Sequence, residues 1–344
     1  MKTDIAIVGG GLCGLALARA LDAHGADYVL LEARDRIGGR ILSTDPDGFD
    51  LGPAWFWDGQ PRMARLVEEF GLGVFEQFSD GLLVFEDAQG RIQHGRGGSM
   101  AGSYRIEGGL GRLTHALAGG LNIRTGVRAV SFQDGPSVTI TTADLTELRA
   151  NKVVLCMPPR LATRIQFDPP LDREELQAAE SIPTWMAGQA KAVAVFDRPF
   201  WREQGLSGDA MSYIGPMVEI HDASPAYGSV AAFFGFLGVP PQARRDEAAL
   251  RADVVAQLVR LFGPEAATPS ALHFKDWAFD PLTATDADHA PLRHHPQYGM
   301  PAALAHLWKD RILFSGSETA EQFGGYLEGA LEAAERSLAQ LGLS

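Results

Sequence analysis

The chain has 344 residues, 46% of them hydrophobic and 21% charged, an ordinary balance for a globular protein at a length that exceeds one typical core. A formal net charge of −13 argues against nucleic acid as a partner and against an anionic membrane surface. Cys13 and Cys156 are the only cysteines, too few for a disulfide framework, a zinc site or an iron–sulfur cluster, and no apolar stretch is long enough to span a bilayer.

A first strand starting at residue 3 or 4 leaves no room for a targeting segment, so the cytoplasm is the expected compartment. That apolar run ends at Val8 and breaks into Gly9, Gly11 and Gly14, followed by a helix over Leu15–Ala23. The first glycine permits a tight turn, the second lets the backbone approach a pyrophosphate, and the third lets helix and strand pack closely. The helix N-terminus offers free N–H groups to the diphosphate. A second strand, Tyr28–Leu31, ends at Glu32, where a carboxylate accepts hydrogen bonds from ribose hydroxyls and repels a 2′-phosphate. Strand, glycines, helix, strand and terminal Glu together point to an adenine dinucleotide site.

Further on, residues 61–71 have helical spacing, and Leu82–Phe85 and Arg91–Gln93 flank Asp87-Ala-Gln-Gly90 as a hairpin. Gly108-Gly-Leu-Gly-Arg112 leads into a short helix through Leu117, and short strands follow at 127–132, 137–142 and 152–156. Met157-Pro-Pro159 ends the last of them. Residues 189–196 and 229–237 read as strands, and 246–262 as a helix with Leu250, Val254, Leu258 and Leu261 inward. An irregular stretch rich in Pro and His covers 280–301, where solvated loop histidines at 289, 294 and 295 are expected and no metal site is. Strand Ile312–Phe314 then meets Ser315-Gly-Ser-Glu318, and a final helix carries Leu327, Leu331, Ala334, Leu338 and Leu341 as a stripe. In Gln189–Phe196 the odd positions share a face, so Lys191 points with Val193 and Val195 into a core, unless it reaches past the strand end to solvent.

Ala33-Arg-Asp-Arg-Ile-Gly-Gly-Arg40 and Asp50-Leu-Gly-Pro-Ala-Trp55 resemble the flavin monoamine oxidase family. The resemblance recurs in order at Glu107-Gly-Gly-Leu-Gly-Arg-Leu113, Val154-Leu-Cys-Met-Pro-Pro159, Phe167-Asp-Pro-Pro-Leu171, Lys191, Pro199-Phe-Trp201, Ser315-Gly-Ser-Glu-Thr-Ala320 and Phe323-Gly-Gly-Tyr-Leu-Glu-Gly-Ala330. It implies an α/β fold: a Rossmann-like FAD-binding domain (residues 1–60, 104–160 and 301–344) with a reduced α+β substrate domain on a mixed sheet (61–103 and 161–300). The implied cofactor is FAD, near Gly9, Gly11, Leu12, Cys13, Gly14, Glu32, Ala33, Arg34, Gly39, Arg40, Pro53, Ala54, Trp55, Val127, Gly316, Glu318, Tyr326 and Leu327.

By the same resemblance, Arg40 lies by the diphosphate with Arg34 nearby, Val127 offers its backbone to the adenine, and Glu318 sits near the phosphates and ribityl chain. Gly324 and Gly325 clear side chains so that the backbone at Tyr326 and Leu327 approaches the flavin, whose reduced charge a helix N-terminus stabilises. Lys191 and Tyr326 are the implied catalytic residues, the first holding a water beside flavin N5, the second one wall of an aromatic cage for an amine. The implied reaction moves hydride from an amine α-carbon to flavin N5, with imine hydrolysis and O2 as acceptor.

Three departures matter. The Asp280–His289 segment expected to supply the opposite cage wall has no aromatic residue other than His289, so the cage is expected to be one-sided. It has no cysteine either, so FAD is expected to be non-covalent. The interval from Trp55 to Gly108 is short where the family inserts helices, so the cap is expected to be reduced. Two alternatives stay open: desaturation or dehydrogenation of a non-amine substrate, and a catalytically weak flavin-binding interaction protein.

Overall fold

The computed structural model describes residues 2–228, 230–290, 292 and 294–343. Its first strand, Lys2–Val8, pairs in parallel with Tyr28–Leu31 on one side and Glu147–Cys156 on the other. Tyr28–Leu31 is buried throughout, the continuous apolar run that a strand covered on both faces requires. Glu147–Cys156 is longer than the expected 152–156 because it serves two partners on one edge. Its first half pairs antiparallel with Val138–Thr142, and its second half runs parallel to Ile312–Ser315 from the end of the chain. With Ile123–Arg124, Ala129–Gln133 and Gln166–Asp168 these make one eight-stranded mixed sheet.

Helices Leu12–Ala23, Gly111–Ala118 and Leu327–Gln340 cover one face through Leu15, Leu21, Leu113, Leu117 and Leu331. Phe132, Ile140, Leu155, Leu304 and Phe314 fill the other. The first helix starts at Leu12 rather than Leu15, because Gly11 is already its extended N-cap and the glycine motif forms the first turn. Val127 precedes its strand instead of opening it: Gly126 turns with φ +72°, and the Val127 N–H donates to the Glu32 carbonyl at 2.9 Å. Helix Pro61–Glu69 stops short of residue 71, and its first turn is capped from afar by Glu328, whose carboxylate accepts the Arg62 and Met63 N–H groups. One helix thereby anchors another across the whole sequence.

A second sheet has seven strands in the order Ala271–Asp276, Ala190–Phe196, Ala231–Leu237, Met217–Asp222, Leu206–Ser212, Leu82–Glu86 and Ile92–Arg96. The last two form the expected hairpin, somewhat longer than its sequence signal. Ala231–Leu237 falls within the expected 229–237, Ser229 lying outside the described residues. Leu206–Ser212 and Met217–Asp222 gave no strand signal, because Gly208, Asp209 and His221 interrupt any apolar alternation. Helix Glu247–Phe262 packs Leu250, Val254, Leu258 and Leu261 on one face, meeting Ala190, Ala192 and Ala194. The opposite face carries Val193, Val195 and Phe234 against Phe49 and Leu51. Small residues on one side of Ala190–Phe196 let the helix approach; the other side faces the cavity layer.

Candidate active site

Residues from both sheets line a cavity of about 680 Å³, a size suited to a cofactor and a small ligand. The turn from Val8 to Cys13 forms one end. Gly9 has φ +113°, and a Cβ there would collide with the Cys156 carbonyl oxygen. Gly11 is different: among the described residues the only atom near its notional Cβ is Gly39 Cα at 4.0 Å, so its backbone lies bare to the cavity. Gly14 is the one proposed cofactor residue that does not line it. Its missing side chain leaves room for the Gly9 carbonyl, so its part is helix–strand packing.

Glu32 is buried beside that turn, its Oε2 accepting the Gly10 N–H at 2.7 Å and its Oε1 the Arg34 N–H at 2.8 Å. Ala33 and Val127 line the same end. Arg34 is not a free anion clamp. Its guanidinium donates to Asp280 Oδ1 at 2.8 Å and Thr283 Oγ1 at 2.9 Å. Residues 280–283 therefore reach the Glu32 end of the cavity, which corrects their expected place opposite Tyr326.

Farther along, Arg40 makes a two-pronged pair with Glu318, at 2.6 and 3.1 Å, and donates to Ser317 Oγ at 3.2 Å. Burial opposes the guanidinium charge, Glu318 outweighs it, and the Arg40 pKa ends raised. Gly39, Gly316 and Leu12 border this stretch. Cys13 Sγ lies 3.8 Å from Cys156 Sγ and 3.0 Å from Ser315 Oγ, so both thiols belong to the glycine-turn end.

Tyr326 is the N-cap of the last helix, with no side-chain cap at that terminus. Gly324 and Gly325 do not simply clear a path to a ligand there. A Cβ on Gly324 would overlap Tyr298, and one on Gly325, at φ +82°, would press on Trp185 and Tyr298 at 3.1 Å. The glycines make room for neighbouring rings. Tyr326 itself meets Trp57 edge-on, centroids 6.2 Å apart, and His295 nearly parallel at 5.1 Å. His295 stacks directly on the Tyr326 ring from the exposed side and does not line the cavity, so of these two neighbours only Trp57 shares the cavity wall with Tyr326.

Lys191 is 2% exposed, its Nζ donating to the Gly52 carbonyl at 3.0 Å and lying 3.9 Å from the Phe234 ring centroid. It does not reach past the strand end to solvent. Burial lowers its pKa to about 7, opposed by the Asp50 charge; burial likewise raises Asp50 to about 6. Pro53, Ala54 and Trp55 continue the wall from Gly52, with Trp55 Nε1 donating to Gln77.

Lys191 pairs with Phe236, and Phe236 with Glu219 on the next strand. Directly paired residues share a sheet face. A cation, an aromatic ring and a carboxylate thus form one row along the cavity, their outer Cα atoms roughly 10 Å apart across two strand spacings. Glu219, Phe236, Trp57 and Trp185 line the cavity but escaped the sequence reading, since each comes from an element with no local motif.

The bare Gly11 backbone, the Glu32 carboxylate, the Arg40 fork and an uncapped helix terminus, set in this order along one cavity, fit FAD. The family model for flavin containing amine oxidoreductase matches residues 91–340, and a model for an NAD(P)-binding Rossmann-like domain matches residues 7–70. The probable flavin-containing monoamine oxidase A of Dictyostelium discoideum is 23% identical over 448 aligned positions, covering 97% of this chain and 96% of that one. An alignment longer than this chain means that the relative carries residues with no counterpart here. A putrescine oxidase bound to putrescine superposes with a TM-score of 0.85 at 21% identity, covering 100% of both chains. Cyclohexylamine oxidase from Brevibacterium oxydans superposes at 0.83 with 19% identity over 98% of each. The chain belongs to the flavin containing amine oxidoreductase family, and is an FAD-dependent oxidoreductase of the amine oxidase type.

Proposed function

We propose that this enzyme oxidises a small primary or secondary amine, with O2 as electron acceptor and FAD held without a covalent bond. The observation that carries the reading is Lys191, a lysine buried in an aromatic cavity wall rather than at the surface. Bound FAD supplies the acceptor for the substrate's hydride. The chain's own residues bind and orient: Tyr326 and Trp57 offer ring faces or edges to an amine, and the low-dielectric wall excludes water. Glu219 adds a carboxylate on the same wall, which favours a cationic ligand over a wholly apolar one. The related proteins named for putrescine and cyclohexylamine support a small amine. A carboxylate-bearing substrate has less support, since Arg160 is paired with Asp288 at 2.6 Å and Arg164 donates to the carbonyls of Pro281 and Ala284.

Acid precipitation is expected to release yellow flavin into the supernatant, because the two thiols lie at the glycine-turn end and the 280–289 segment has none. Flavin retained by the pellet overturns the non-covalent assignment. An anaerobic panel of alkyl-, aryl- and diamines is expected to bleach the flavin, faster as pH approaches each amine's own pKa, since an ammonium has no lone pair to assist hydride departure. Bleaching by amino acids alone, or by none of the amines, overturns amine oxidation and returns the non-amine alternative. Added salt is expected to weaken the encounter of cations with a protein of net charge −13.

A further inference from the structure

Behind Glu219 runs a buried string of ionisable groups. His221, 1% exposed, has Nδ1 2.8 Å from Asp209 Oδ1 and Nε2 2.9 Å from Glu219 Oε1. Asp209 comes from the neighbouring strand, and its Oδ2 is buried with no partner among the described residues. Ser99 Oγ donates to the same Glu219 Oε1 at 2.8 Å. Two donors thus grip one oxygen of Glu219, while no described residue donates to its Oε2.

A neutral imidazole donates through only one nitrogen, so serving both carboxylates requires the imidazolium. Burial opposes that charge, Asp209 and Glu219 outweigh it, and the His221 pKa is raised. The Glu219 pKa is lowered, first of all by the hydrogen bond from His221. Trp55 meets the imidazole edge-on at 5.1 Å and Phe234 lies against it at 5.3 Å, so aromatic packing fixes the ring. The three groups together carry one net negative charge. That charge sits at the far end of the row that begins with Lys191.

We infer that His221, anchored by Asp209, is a positioning residue that holds Glu219 ionised and turns its free Oε2 to receive a second cationic group of the substrate. The inference rests on the amine-oxidation reading. The ligand class is an amine carrying another ammonium a short carbon chain away from the reacting nitrogen. A charge-assisted hydrogen bond at this point separates such a dication from a monoamine of equal length by about tenfold or more in affinity.

The test is the amine dependence of anaerobic flavin reduction, which separates dissociation constant from limiting rate, for 1,4-diaminobutane and butylamine. The ratio of the two dissociation constants, diamine over monoamine, is expected to rise about tenfold in Glu219→Gln and comparably in His221→Gln. The double variant is expected to show no further rise, because His221 acts through Glu219. Asp209→Asn, which frees His221 to lose its proton, is expected to move the ratio the same way and serves if His221→Gln does not fold. A rise in Glu219→Gln with none in the His221 or Asp209 variants overturns the positioning role. Effects that multiply in the double variant overturn it as well. An unchanged ratio in every variant, with both amines still reducing the flavin, removes Glu219 from cation recognition. Failure of any amine to reduce the wild-type flavin overturns the underlying reading instead, so the two failures are distinguishable.

Discussion

Lys191→Met is expected to retain FAD yet slow flavin reduction, reoxidation by O2, or both, by about a hundredfold, the scale for removing one positioned electrostatic donor. The lysine is engaged by the Gly52 carbonyl and the Phe234 ring, not by the glycine turn, Glu32 or Arg40, so cofactor affinity has no reason to fall. Stability is expected to fall, because buried Asp50 loses the charge that offsets its burial and the Gly52 carbonyl loses a donor. The pH dependence gives a sharper test. Burial holds Lys191 at about 7, so the ammonium is present below that pH and lost as pH rises through it. Any step that uses the ammonium is therefore expected to slow above about 7 in the wild type, and the variant to show no such bend. Stopped-flow half-reactions across pH measure both. Wild-type rates in the variant remove Lys191 from the chemistry.

Arg40→Met is expected to lose FAD and stability together. It strands Glu318, which is 1% exposed, as a buried unpaired carboxylate, at a cost of about 3–5 kcal/mol. Adding Glu318→Gln removes the stranded charge and is expected to recover most of the thermal stability without recovering the flavin. The two readouts, melting temperature and flavin absorbance per protein, then come apart. Full flavin content in the double variant shows that the Arg40–Glu318 pair serves the fold alone.

The dinucleotide half was legible because its signals are local. A buried strand, a glycine turn, a helix and a terminal acid follow one another within the first 32 residues, and backbone geometry forces each residue type. Lys191 was legible for a similar reason: strand alternation fixes which neighbours share its face. What stayed hidden was anything held in place by distant partners. Asp280 is a loop acid in the sequence, and only the fold shows it holding Arg34 at the Glu32 end. Gly324 and Gly325 looked like ligand clearance, but the rings that need their space, Trp185 and Tyr298, come from other parts of the chain.

By itself, then, the sequence determined the dinucleotide site and the inward turn of Lys191, since glycine spacing and periodicity are properties of neighbouring residues, while its ordered motifs carried the resemblance to the family. The tertiary structure alone decided the substrate end. Trp57 meets Tyr326 edge-on, Glu219 joins the row of Lys191 and Phe236, and His221 finds Asp209 behind it, each through the pairing and packing of separate elements. Sheet register and side-chain packing set those distances, and no local pattern encodes which strand will lie beside which.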